Sequence, residues 1–363
     1  MKNLRAVAIM TSALIGFGFS TASAVEPIKD RTIGYVMTDY FFAMYATPEK
    51  TECPEGINDG SIVQFNELYP KDKPRKLAET ELVREAGIWF PSKAPEQFKF
   101  KEPVTKIAPG LNLDGKVGPN DFTSPSGEAG IDNQLYRVIG CIGDYRPGGS
   151  LRGFHNIYLR DRGYTRLLVE LTNVDSLVND DDVTVTTYRG LDRLLTDAGG
   201  NEILPNGTER VDARFGMIFH KQAHGKITNG VLTIDPADLN VPIIMVYNSR
   251  NAYFTIRNTQ FKMNITAESL KGMWGGYFDI PSFYRAINSA YASYHHTYGA
   301  QSEPSVYKSL YRLADGVPDA SGQNTGISGA IEINFKQAFL KHPDVPKNMT
   351  RQNTASLPAP VQR

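Results

Sequence analysis

From residue 166 onward, apolar and polar side chains alternate along the chain. Leu167, Val169 and Leu171 fall on one side and Leu168, Glu170 and Thr172 on the other, the period of a β-strand. The stretch 183–188 (Val-Thr-Val-Thr-Thr-Tyr) is β-branched and aromatic and predicts a second strand. Asn179 to Asp182 reads as the hairpin-like turn between the two. Further strands are expected at 213–221, 230–234, 242–247, 252–257 and 259–266, with turns at Asn229-Gly230 and from Ser249 to Asn251. A last strand is expected at 330–335. This run of short strands predicts a mainly β fold, an antiparallel β-sandwich or jelly-roll-like core.

The period then lengthens. Phe283, Ile287, Ala290, Tyr291, Tyr294 and Tyr298 recur on one helical face, with Asp279 or Ser282 to start the helix and Gly299 to end it. A second helix is expected from Ser302 to Asp315, with Val306, Leu310 and Leu313 as its stripe. Shorter helices are expected at 131–142 and 151–162, and one more near 76–87. Residues 25–105 otherwise read as an irregular N-terminal extension punctuated by Pro91, Pro95 and Pro103. The main domain is expected at 106–341. Residues 342–363, rich in Pro, Asn and Gln, read as a disordered tail.

The first 24 residues read as an export signal. Lys2 and Arg5 precede an apolar run from Ala6 to Phe19, and Ala22-Ser23-Ala24 is a small-x-small cleavage site. No second long apolar run follows, so no transmembrane helix is expected after cleavage, and the expected location is periplasmic or secreted. Cleavage leaves 363 − 24 = 339 residues; losing Lys2 and Arg5 leaves 37 basic against 39 acidic residues, a net charge of −2. That balance gives no electrostatic reason to expect nucleic acid as a partner. The two cysteines, Cys53 and Cys141, form a disulfide in an oxidising compartment or stay as buried thiols.

The densest candidate chemistry lies at 110–133. Calcium takes six to eight hard oxygens from a flexible loop. Residues 110–122 (Gly-Leu-Asn-Leu-Asp-Gly-Lys-Val-Gly-Pro-Asn-Asp-Phe) resemble the calcium loop of dockerin and EF-hand proteins. The resemblance places Asn112 and Asp114 at the third and fifth positions, Gly115 at the sharp turn, Val117 at the pinning apolar position and Asp121 at the closing acid. Gly110 departs from it, standing where the first Asp belongs; Asp132 or Asn133 fills that place if the chain folds back. The expected ligands are therefore Asn112, Asp114, Asp121, Asp132 and Asn133, with Ca2+ as the ion. The alternative reading is two successive turns built from the same residues.

Other constellations are less specific. His220 and His224 have helical metal-ligand spacing in a stretch that reads as strand and loop. Ser305 to Lys308 matches Ser-x-x-Lys without its partner motifs. Gly326-Ile-Ser328-Gly imitates a nucleophile elbow and reads as a turn. Asp180 to Asp182 reads as a solvated tip, and Asp315 to Asp319 with Asn324 as a Gly-rich loop. Tyr247, Tyr253, Phe254, Trp274, Tyr277 and Phe278 either fill the core or present a sugar-stacking face.

Several strings run together: Leu113-Asp114-Gly115, Asp121-Phe122, Gly130 to Gln134, Gly140-Cys141, and Thr51 to Asn58 near the start. With these the chain resembles an uncharacterised family of exported proteobacterial proteins, which implies export and the pairing of the two cysteine regions. The expected function is a non-catalytic exported protein with a calcium-stabilised loop, presenting a surface to a glycan or a cell-envelope protein. The alternative is a calcium-dependent hydrolase acting on polysaccharide or another envelope substrate, with Asp175, Asp192 or Asp279 as its acids.

Overall fold

The first strand, β1 (Ile33–Phe42), pairs on both edges: with β2 (Leu167–Thr172) on one side and with the last strand, β8 (Asn324–Lys341), on the other. Between them come β3 (Asn179–Arg189), β4 (Lys221–Thr228), β5 (Val231–Ile234), β6 (Ala252–Ile265) and β7 (Ser269–Asp279), each antiparallel to the next. The eight strands form a closed up-and-down barrel. The structure is a computed structural model and describes residues 30–58, 72, 83–85, 88–90, 100–161, 166–200, 202–243, 252–291 and 303–343.

The barrel is mainly β and antiparallel, as the alternation implied. It corrects the sandwich or jelly-roll expectation. One buried face per strand suits either architecture; closure depends on β1, which lies inside the segment read as an extension. Nine of its ten residues are buried, so it carries no period-two signature.

Cross-strand partners share a face, and the register collects an apolar set: Tyr35 with Val169, Met37 with Phe335, Leu232 with Met263, Phe335 with Leu270. All are buried, and with Trp274 they fill the barrel lumen. Outside, α2 (Ser150–Asp161) packs on β1: the Asn156 side chain accepts from the Tyr40 amide and Arg152 pairs with Asp39 and Glu332. An apolar lumen beneath helices and ion pairs inverts the polar-in, apolar-out pattern of barrels that span outer membranes. Among the described residues no helix is long and apolar enough to cross a membrane.

Helices form where the longer period predicted them: α1 (Gln134–Ile139), α2, α3 (Ile280–Tyr291) and α4 (Glu303–Arg312). Other details differ. The expected strands at 252–257 and 259–266 are one strand, β6, kinked at Asn258, whose φ is 49°. Residues 179–182 belong to β3, and the turn lies before them. Residues 213–215 are a 3₁₀ turn. Within the expected 76–87 helix, Val83–Glu85 pairs as a strand with Ile88–Phe90; the remainder, the signal segment and 344–363 lie outside the described residues.

Cys53 and Cys141 form a disulfide. Arg146 reinforces it, donating to the carbonyls of Gly140 (2.8 Å) and Thr47 (2.8 Å). The stretch after β1 is thereby fixed beside α1.

His155 of α2 is buried against the Tyr40 and Phe41 rings, and neither ring nitrogen has a hydrogen-bond partner among the described residues. Burial pushes its pKa down to about 4 from 6.5. Between those values the unfolded chain binds the extra proton, so this group's contribution is lost as pH falls through that window. The loss at pH 4 is about 3 kcal/mol. Asp315 and Glu209, both raised, act with the opposite sign, so the comparison isolates His155: between pH 7 and 4, His155→Phe loses less stability in urea melts than the wild type by about that amount. Parallel profiles would contradict it.

Candidate functional site

Residues 107–133 lie on the outer wall of the barrel. Leu111 sits over Gly275 of β7, where a Cβ would come within 3.1 Å of its Cδ1. Gln260 of β6 donates to the Leu113 carbonyl (2.9 Å), and the Gln134 amide donates to the Ser328 hydroxyl of β8 (3.0 Å). A side chain at 275 would press on the Leu111 and Leu113 side chains, which would have to give by a few tenths of an ångström.

Within the loop the expected ligands divide into two groups. Asn112 and Asn133 shape the backbone. The Asn112 Oδ1 accepts from the Gly115 amide (2.7 Å) and its Nδ2 donates to the Lys116 carbonyl (2.8 Å). Asn133 caps α1, accepting from Tyr136 (3.2 Å) and donating to the Pro109 carbonyl (2.7 Å). Gly115 does take the left-handed turn, with φ 74°. Val117, expected to pin the loop, is instead 71% exposed.

Asp114, Asp121 and Asp132 face a common cleft of about 470 Å³, and Asp315, at the corner after α4, lines it too. The chain folds back as expected: Asp132 bridges to Leu111 and accepts from the Leu113 amide at 2.6 Å. Asp121 accepts from the Gly118 amide. Asp315 accepts from the Ser328 amide (2.7 Å) and hydroxyl (2.6 Å). The donors named for these three carboxylates, the Leu113, Gly118 and Ser328 amides and the Ser328 hydroxyl, are neutral. Asp114 accepts from the Lys116 amide, with the Lys116 ammonium at 3.8 Å.

The electrostatics follow from burial first, with crowding of like charge adding to it. Burial first, then Asp121 and Asp114, raise the pKa of Asp132, against the lowering effect of the Leu113 amide. Asp315 opens to solvent through the cleft, yet protein surrounds its carboxyl on most sides. That desolvation, with Asp132 adding, pushes its pKa up to about 6. Tyr277, on the cleft wall, is pushed up to about 12 by burial and the four carboxylates. Among the described residues no group of three or more His, Cys, Asp and Glu side chains is gathered closely enough to hold a metal ion.

Comparison with family models, curated proteins and solved structures returned no match.

Several sequence candidates separate. His224 meets Asp235 (3.2 Å) and Asp182 (3.6 Å), whereas the His220 ring packs against Tyr188. Asp175 pairs with Arg31, Asp192 with Arg210, and Asp279 accepts from the Ser282 amide; none lines the cleft. Phe254, Trp274 and Phe278 are core residues, and Tyr247 lies outside the described residues. Ser328 is in a strand, not a turn. The 315–319 stretch, expected as a loop, instead pairs through Gly316–Pro318 with β8; it supplied Asp315, whose only sequence signal was an acid beside a glycine, and its union with 110–133 depends on β7–β8 pairing.

Proposed function

We propose that the protein is an exported, non-catalytic binding protein in which calcium bridges the 110–133 loop and the barrel wall. One observation carries this reading: five carboxylates, Glu102 with those four, line one cleft beside Lys106, Arg137 and Arg312, and burial, with repulsion among the carboxylates adding to it, raises Asp132 and Asp315. A hard divalent cation relieves that repulsion, and a loop of turns with oxygen-bearing side chains suits calcium. Asp114, Asp121 and Asp132 stand too far apart to hold an ion as placed and would have to draw together around it, with Asn112 and Asn133 keeping the loop's shape. The disulfide supports an oxidising compartment, periplasmic or extracellular.

Chelation is expected to lower the melting temperature of the mature chain, and Asp114→Ala or Asp121→Ala to abolish that response. Because protons compete for the raised carboxylates, calcium affinity is expected to weaken as pH falls through about 6. An equal melting temperature with and without chelator would reduce the loop to turn chemistry.

A second reading, a calcium-dependent hydrolase of polysaccharide, draws on Asp315 alone. A carboxyl raised to about 6 among ionised neighbours is the pattern of an acid–base pair. Both of its oxygens are held by Ser328, which favours the binding reading.

A further inference from the structure

The end of the last strand leaves the barrel. Ala338 still pairs with Gly34 of β1, but Ala338 to Lys341 also pair, in parallel, with a short strand, Gly207–Arg210. Together the two segments form a strap across the outer wall. Leu340 of the strap sits over Gly34 of β1, where a Cβ would come within 2.7 Å of its Cγ. At the far end His342 Nε2 meets the Glu170 carboxylate of β2 (2.9 and 3.1 Å). Its ring meets Tyr188 of β3 edge to face at 5.1 Å, and the Tyr188 hydroxyl donates to the same carboxylate (3.2 Å).

The strap also buries a second acid. Glu209 is 2% exposed and interacts with Arg166, the fully buried residue that precedes β2. Glu209 Oε2 and Arg166 Nε and Nη1 have no hydrogen-bond partner among the described residues. Arg166 spends its Nη2 on the Arg160 carbonyl (3.5 Å). The other charges that act on this pair are Asp192 and Arg193, from the segment after β3. Asp192 is itself paired with Arg210 (2.8 Å). Glu170, His342 and Tyr188 complete the polar groups beneath the strap.

A buried carboxyl that receives no hydrogen bond is costly to ionise. Burial, opposed by Arg166 and helped by Asp192, pushes the Glu209 pKa up to about 7 from 4.5. Between those values the closed strap holds a proton that an opened one releases. Closure therefore weakens as pH rises through that window and is weakest above it. We propose that the strap is a pH-operated latch, closed over the barrel wall while Glu209 carries its proton and loosened once it ionises, with the Glu170–His342 pair as its second catch. Opening uncovers Gly34, Glu170 and Tyr188 on the wall. The latch goes beyond the calcium reading and does not depend on it.

The test is hydrogen exchange of the intact mature chain, read as protection factors at about pH 5 and about pH 8. The reporters are the Asn206 and Val211 amides, which donate to the Gln337 and Lys341 carbonyls (3.0 and 2.9 Å). The paired amides of β2 and β3 are the control. Protection of the reporters is expected to fall at least about tenfold at the higher pH while the control amides hold. Glu209→Gln, which keeps the shape and removes the titration, should stay protected at both pH values, and its melting temperature verifies that it folds. Equal protection of the wild-type reporters at both pH values, or the same fall in Glu209→Gln, overturns the proposal. A fall shared by the control amides overturns it too, because the whole barrel would then be opening.

Discussion

Replacing Cys53 or Cys141 by serine lowers stability by about 4 to 5 kcal/mol and the melting temperature by on the order of 10 °C. The bridge joins residues 88 positions apart, and in the chain-entropy view a loop of that size removes much of the unfolded chain's freedom. Position adds to the effect. Cys53 follows β1, the strand whose second edge closes the barrel, and Cys141 follows α1, which anchors the candidate loop. Without the bridge, Arg146 and the Asn58 amide, which donates to the Cys141 carbonyl (2.6 Å), still tie the two segments, but no covalent link does. Reductant should produce the same fall in the wild type and no further fall in Cys53→Ser. A variant that melts at the wild-type temperature would show that the crosslink does not constrain the fold.

Trp274→Ala destabilises by about 3 to 5 kcal/mol, whereas Trp274→Phe costs far less. The indole is fully buried in the lumen, stacked on Phe261 at 4.2 Å with Phe335 at 5.8 Å. Truncation leaves a cavity that a closed ring of paired strands cannot collapse to fill. Its N–H has no hydrogen-bond partner among the described residues, so a phenyl ring restores most of the packing without burying an unpaired donor. Urea unfolding of the two variants measures the difference. Equal, small losses would mean that the lumen is not the core.

The elements that could be read from the sequence are those whose residue types and spacing mark them: the Leu and Val run of β2 and the β-branched run of β3, although both faces of each are largely buried, and the helical spacing of α2 and α4. Strand β1, nine of whose ten residues are buried, was not read as a strand. Closure was therefore invisible, and a sandwich satisfied the same alternation. Asn258 illustrates a subtler miss. A residue that looks like a turn takes a positive φ inside one continuous strand and re-aims it.

The candidate site was legible in part for a related reason. Asp114, Asp121 and Asp132 lie close enough in sequence for the loop itself to suggest their meeting. Asn112 and Asn133 have the same oxygen-bearing chemistry, but their side chains satisfy nearby backbone groups, the usual competing use of such residues. Asp315 and Tyr277 join through pairing between distant strands, which no local spacing encodes.

The central claim is that the cleft formed by Asp114, Asp121, Asp132 and Asp315 is a calcium site. Calorimetric titration of calcium into the chelator-stripped mature chain, beside Asp132→Asn, tests it most directly. The account predicts one saturable site in the wild type, weakened at least about tenfold in the variant. Absence of a calcium heat, or identical binding by Asp132→Asn, would contradict it.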